Sequence, residues 1–160
     1  MLCIGLFGTC GGSKWRDIFI EKYKELGVEF FNPQVDDWKP ELAEIEAEHL
    51  VNDDIILFPV TNETYGLGSL AETGFSITQA INSNKNRSIV IMVDKIVKEE
   101  LAVADPALAK ESMRARALVR AHLLKLNESN VYIVDSLEEM LTVSLNLQKA
   151  HYYLELARKK

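Results

Sequence analysis

Glu72 lies in the run Thr61-Asn62-Glu63-Thr64-Tyr65-Gly66-Leu67-Gly68-Ser69-Leu70-Ala71-Glu72-Thr73-Gly74-Phe75, just after the apolar stretch Ile55 to Val60 and where a helical pattern begins. This predicts a carboxylate in the first turn of a helix, beyond the carboxyl end of a central strand. Open α/β sheets take their ligands at that edge. The positive end of a helix dipole favours an ionised acid there, as a nucleophile requires, although an acid in that place can also simply complement the dipole. A second acid lies upstream. Leu42, Ile45, Glu46, His49 and Asp53 recur at helical spacing, which sets Glu46 at the border of the stripe facing the sheet. A buried charge without a partner is costly, so Glu46 either does chemistry or reaches water or a cation at the rim. Asp53 and Asp54 read as helix end and strand start, with Asp54 placed to bond a neighbouring loop.

The same rim should carry three polar or glycine-rich segments. Gly8, Thr9, Cys10, Gly11, Gly12 and Ser13 precede a helix, so their N–H groups either face an anion or form a tight strand-to-helix turn. They are not Gly-x-Gly-x-x-Gly, and Ser13 stands where a Walker A loop needs the glycine before Lys14. Asn32 and Gln34 follow the second strand; Thr64, Gly66, Gly68 and Ser69 follow the third. Trp15 and Trp38 either stack on a base or pack as core and rim. Arg16 and the Gly11-Gly12-Ser13 turn are candidates to receive a phosphate.

The elements that position these residues alternate. Leu2 to Gly8 reads as a strand, then Lys14 to Leu26 as a helix with Ser13 as N-cap, Gly27 as stop and Trp15, Ile18, Phe19, Lys22, Tyr23 and Leu26 on one face. Strands over Val28 to Phe31, Asp54 to Val60 and Arg87 to Val93 alternate with helices over Pro40 to Asn52 and Ser69 to Asn82. A long helix over Pro106 to Leu126, a short strand over Val131 to Val134 and a last helix from Leu137 toward Arg158 complete the chain, while 94–109 has no clear pattern. The β-α-β-α order predicts one doubly wound, flavodoxin-like or Rossmann-like domain with a mainly parallel five-stranded sheet. The stripe Leu137, Leu141, Leu145, Gln148, Tyr152 and Leu156 packs on the sheet or forms an oligomer interface.

The 160 residues suit one domain with a core of its own, and 48% hydrophobic with 26% charged content is ordinary for a globular protein. A formal net charge of −6 without a basic run argues against nucleic-acid binding. No apolar run approaches the roughly 18 residues of a membrane span, and no leader pattern opens the chain, so a reduced, cytoplasmic protein without a membrane partner is expected. Cys3 and Cys10 form no Cys-x-x-Cys pair, and His49, His122 and His151 lie far apart in sequence. That spacing predicts no metal site.

Gly66-Leu67-Gly68 and Glu72-Thr73-Gly74-Phe75, directly after Asp54-Ile55-Ile56-Leu57-Phe58, resemble the nucleoside 2-deoxyribosyltransferase family. The resemblance covers about residues 2 to 93. It implies that Glu72 attacks C1′ of a nucleoside or nucleotide and that Glu46, eight residues before Asp54, exchanges a proton with the base. It also implies that the Gly8 to Ser13 segment lies near base and sugar, that no cofactor is needed and that the chain forms a homo-oligomer. Leu70-Ala71 are two extra residues relative to the family's spacing, Glu63 or Thr64 would have to replace its sugar-binding aspartate, and its C-terminal asparagine segment has no counterpart. The expected chemistry is cleavage or transfer at an N-glycosidic bond by double displacement, which needs one ionised and one protonated carboxyl. The competing readings are a nucleotide-binding sensor without catalysis, a flavin or receiver-type domain, and an enzyme that cleaves NAD.

Overall fold

A computed structural model describes residues 2–37, 39–83, 86–126 and 128–158, the side chains of 75–81 and 83 excepted. Five strands, β1 (Ile4–Leu6), β2 (Phe30–Phe31), β3 (Ile55–Val60), β4 (Ser88–Val93) and β5 (Val131–Val134), form one sheet in the order β2-β1-β3-β4-β5. Every pairing is parallel. The helices are α1 (Trp15–Leu26), α2 (Leu42–Asn52), α3 (Leu67–Ser83), α4 (Glu99–Ala104), α5 (Pro106–Leu123) and α6 (Leu137–Arg158). This is the single doubly wound α/β architecture that the alternation predicts, and α4 occupies part of the segment without a clear pattern.

β3 and β4 are buried along their whole length because helices cover both faces of the sheet. Alternate residues therefore serve opposite cores. Ile4, Leu6, Ile55, Leu57, Val90 and Met92 meet Trp15, Phe19 and Tyr23 of α1 and Met140 of α6. Phe7, Ile56, Phe58, Val60, Ile89 and Ile91 meet Leu70 of α3 and Leu123 of α5, with Leu50 of α2 packed alongside.

Pro59 lies inside β3, where a central strand normally excludes proline. The pairing with β1 ends at Leu6–Leu57, so nothing in the ladder needs the missing N–H. Pro59 O accepts from both the amide and the hydroxyl of Thr9. Gly8 presses against the proline with φ 92°, and a Cβ there would lie 2.4 Å from Pro59 O.

Some boundaries and faces differ from expectation. β2 keeps only Phe30 and Phe31, and α1 begins at Trp15 with Lys14 before it; Ser13 makes no cap and instead bonds Glu63. Gly27 does end α1, at φ 65°. Ile18 and Leu26 face solvent, and Arg16 takes their place in the buried face. On α2, Leu50 rather than Ile45 turns inward. α3 starts two residues early, at Leu67, so Glu72 stands in its second turn rather than its first. The last stripe divides: Leu137, Leu141 and Leu145 pack on the sheet, whereas Tyr152 and Leu156 are exposed. Among the described residues no helix is long and apolar enough to cross a membrane.

α1 and α6 are joined by a buried bond of 2.6 Å between Tyr23 Oη and Ser144 Oγ. Ser144 Oγ also donates to Leu141 O, so Tyr23→Phe leaves the serine partnered and should cost only about 1 kcal/mol in urea unfolding.

Candidate functional site

The sheet reverses direction of winding between β1 and β3, and the crevice beyond their carboxyl ends is where such folds bind ligands. Two loops border it, and each is held by a buried arginine. Arg16 sits beneath the loop after β1. Its Nε donates to Leu6 O, Nη1 to Thr9 O and Gln34 Oε1, and Nη2 to Cys10 Sγ. It is 1% exposed, so it shapes the loop from below and does not offer itself to a phosphate. Thr9 is buried as well, and its hydroxyl accepts from Thr61 N at 2.9 Å, tying the two loops together.

Arg116, on α5, sits beneath the loop after β3. All five of its N–H groups are used: Nε to Ser112 Oγ, Nη1 to Val60 O and Asp94 O, Nη2 to Thr61 O and Thr64 O. Gly66, at φ 67°, closes over this guanidinium; a Cβ there would meet Arg116 Nη2 at 3.0 Å and Val60 Cγ1 at 2.9 Å. The glycine thus answers to the arginine below it. Gly68 has open space around it. Thr64 Oγ1 accepts from Gly66 N, and Ser69 is nearly buried in the first turn of α3.

Glu46 and Glu72 come together. They face one cavity of about 240 Å³ between α2, α3 and the ends of β1 and β3, with Phe7, Phe58, Leu50 and Ala47 as its apolar walls. Glu72 is exposed overall, yet the wall dehydrates its carboxyl; that burial first, and the Glu46 charge second, push it above the usual carboxylate range. The helix dipole does not dominate, because its influence fades beyond the first turn. An acid expected to be held ionised by α3 is instead biased toward its proton.

The other expected residues take different places. Trp15 is core, 3% exposed, donating from Nε1 to Thr9 O and packing edge-on against Phe19. Cys10, Gly11 and Gly12 are exposed on the loop after β1. Gln34 Nε2 donates to Gly11 O, and Asn32 Oδ1 accepts from Gln34 N, so both polar residues brace loops. Trp38 and the Phe75 side chain lie outside the described residues. A second cavity, of about 470 Å³, opens on the α1/α6 side, where Lys14, Glu63, Asp94, Lys98 and Asp135 meet. Neither of these two cavities is lined by Gly8, Thr9, Cys10, Gly11, Gly12, Asn32, Gln34, Thr64, Gly66, Gly68 or Ser69.

The acids of this second cavity were not singled out by spacing, because three different strand ends supply them. Glu63 accepts from Ser13 and Thr61 and lies 3.9 Å from Lys98 Nζ. Asp94 Oδ2 accepts from Asn62 N at 2.7 Å, and burial raises its carboxyl. These groups secure the loops after β3 and β4. No protein-family model matches the chain, and no curated protein matches it.

Two outcomes are expected. Arg116→Met strands the carbonyls of Thr61, Thr64 and Asp94 and should lower stability by about 3 kcal/mol or more in urea unfolding. Glu46→Gln removes the like charge and should lower the Glu72 midpoint, followed through its carboxyl carbon by NMR. The folded chain holds the Glu72 proton more tightly than the unfolded chain. That contribution to stability is complete below the ordinary glutamate range and is lost as pH rises through the raised midpoint.

Proposed function

We propose that the chain cleaves or transfers at the N-glycosidic bond of a nucleoside, deoxynucleoside or nucleotide, with Glu72 and Glu46 as the reacting pair. The observation that carries this reading is the arrival of two carboxyls from separate helices on one apolar-walled cavity on the α2/α3 face of the sheet, close enough for one charge to raise the other. Such a pair favours holding a single proton between its members, because two negative charges in a poorly hydrated site repel. One member is then a carboxylate and the other an acid, as double displacement needs.

In the proposed cycle a Glu72 oxygen attacks C1′ while the C1′–N bond breaks. The electron pair goes to the base nitrogen, which takes its proton from Glu46. Water then attacks C1′ of the glycosyl-enzyme, giving its proton to Glu46 and releasing the Glu72 carboxylate; a second base in place of water gives transfer. Assignment of the nucleophile to Glu72 rests on the resemblance of Glu72-Thr73-Gly74-Phe75, and it requires Glu72 to have given up its proton before attack, against the upward shift there. Phe7 and Phe58 supply apolar surface for a base or sugar.

Purified protein incubated with nucleosides, deoxynucleosides, their 5′-monophosphates and NAD, with and without an acceptor base, should release free base on chromatography. Glu72→Ala should lose that release by about 10³-fold or more, on the scale of losing an essential catalytic group. Glu46→Gln should lose most of it. Release retained in Glu72→Ala refutes the assignment, and silence across the panel with nucleotide still bound replaces the enzyme by a nucleotide sensor.

A further inference from the structure

At the opposite edge of the sheet three side chains converge, Cys3 being far in sequence from His49 and Asp53. Cys3 precedes β1, His49 lies in the last turn of α2, and Asp53 caps that helix before β3. Cys3 Sγ, a ring nitrogen of His49 and a carboxylate oxygen of Asp53 all lie within 4.8 Å of one another. Asp53 is 4% exposed, and its Oδ2 is buried without a hydrogen-bond partner. The contact of 2.9 Å with His49 Nδ1 accounts for Oδ1 only. We propose that Cys3, His49 and Asp53 form a binding site for a divalent transition metal of the zinc type.

The donor set suits such an ion: one sulfur, one imidazole nitrogen and one carboxylate oxygen, with the fourth position left to water. Tetrahedral bonds of roughly 2.0–2.3 Å separate ligand atoms by roughly 3.3–3.7 Å, so the three atoms need to close by about an ångström. Two features already fix the frame. The His49 ring is stacked on Phe31 with centroids 3.7 Å apart and planes 3° from parallel, which limits its rotation. Gly5 makes room for the carboxylate: a Cβ there would come 2.7 Å from Asp53 Oδ2 and 2.4 Å from the Phe7 ring.

The charges around the cluster agree. Asp54 Oδ2 accepts from Cys3 N, and Glu29 adds a further negative charge, while Arg87 spends Nε and Nη2 on the backbone carbonyl of Asp53 and Nη1 on that of Leu50. The acids are thus gathered with little positive charge directed at them. A divalent cation supplies that charge and takes the unpartnered oxygen. It also joins β1, the end of α2 and the start of β3. α2 has no buried residue of its own, and His49 is one turn from Glu46 on the same face, so the bound ion would steady the helix that carries the second acid of the cavity.

The test is spectroscopic and independent of catalysis. The chelator-treated 160-residue chain is titrated with Co²⁺ alone and followed by the sulfur-to-cobalt charge-transfer absorption, with Zn²⁺ then added to displace it. The expected result is one equivalent bound in wild type and in Cys10→Ser, no charge-transfer band in Cys3→Ser, and at least about tenfold weaker binding in His49→Ala. Zn²⁺ should also raise the urea midpoint of wild type and not of Cys3→Ser. Absence of the band in wild type overturns the proposal, and so does its persistence in Cys3→Ser, its loss in Cys10→Ser, or a wild-type midpoint that Zn²⁺ leaves unmoved.

Discussion

A guanidinium keeps its charge in a protein interior, so a buried arginine is tolerated only where the chain brings acceptors to it. Arg116 is fully buried and meets five, four of them main-chain carbonyls of Val60, Thr61, Thr64 and Asp94. Val60 O also accepts from Asp94 N at the end of the β3/β4 ladder, whereas the carbonyls of Thr61, Thr64 and Asp94 lie beyond the strands and turn to the guanidinium. The loop after β3, the glycine that crosses over it and the start of α3 are therefore built around one cation. Arg16 does the same below the loop after β1, and Arg87 below the turn from α2 into β3. The apolar sheet supplies most of the burial, but these three side chains decide the paths taken by the connections.

That division explains what could be read from the residues in order. Period-two and helical spacing report apolar faces, so the β-α alternation, the parallel sheet, β5 over Val131–Val134 and α6 from Leu137 were all legible. The meeting of Glu46 with Glu72 on one cavity was implied by the resemblance, whereas spacing alone placed Glu72 a turn too early in α3. The loops were less legible. An arginine within a helix reads as a solvated charge, and nothing near Arg16 or Arg116 in sequence announces the carbonyls that will surround it. The cluster of Cys3, His49 and Asp53 was not legible for a related reason: His49 and Asp53 share one helical stripe, but Cys3 precedes a strand far from them in sequence, so no local spacing joins the three. Trp15 was ambiguous by type, and its indole bond to Thr9 O settles it as core.

The Glu72 environment shows two electrostatic effects in competition. A helix N-terminus favours an anion only within its first turn, and α3 starts early enough at Leu67 to carry Glu72 past that reach. Dehydration by the cavity wall and the nearness of Glu46 then prevail. The two residues Leu70 and Ala71, seen in sequence as an interruption in spacing, lengthen the path between the glycines and the acid by more than half a helical turn. Leu70 is buried in the core beside α5 while Ala71 faces out, so the added residues also change which neighbours the acid has.

The bonds from Arg116 to the loop after β3 span 52 to 56 residues of chain. This separation sets an order of assembly. A chain emerging from the ribosome can pair β1 with β3 and seal the contact of Thr9 with Pro59 long before residue 116 exists. The end of β3 and the loop after it then carry three carbonyl groups, of Val60, Thr61 and Thr64, whose guanidinium partner has not yet been synthesised, and water must serve them until α5 docks. The first half of the domain is thus able to form its strands early, whereas the wall of the crevice acquires its final shape only when a helix from the second half arrives.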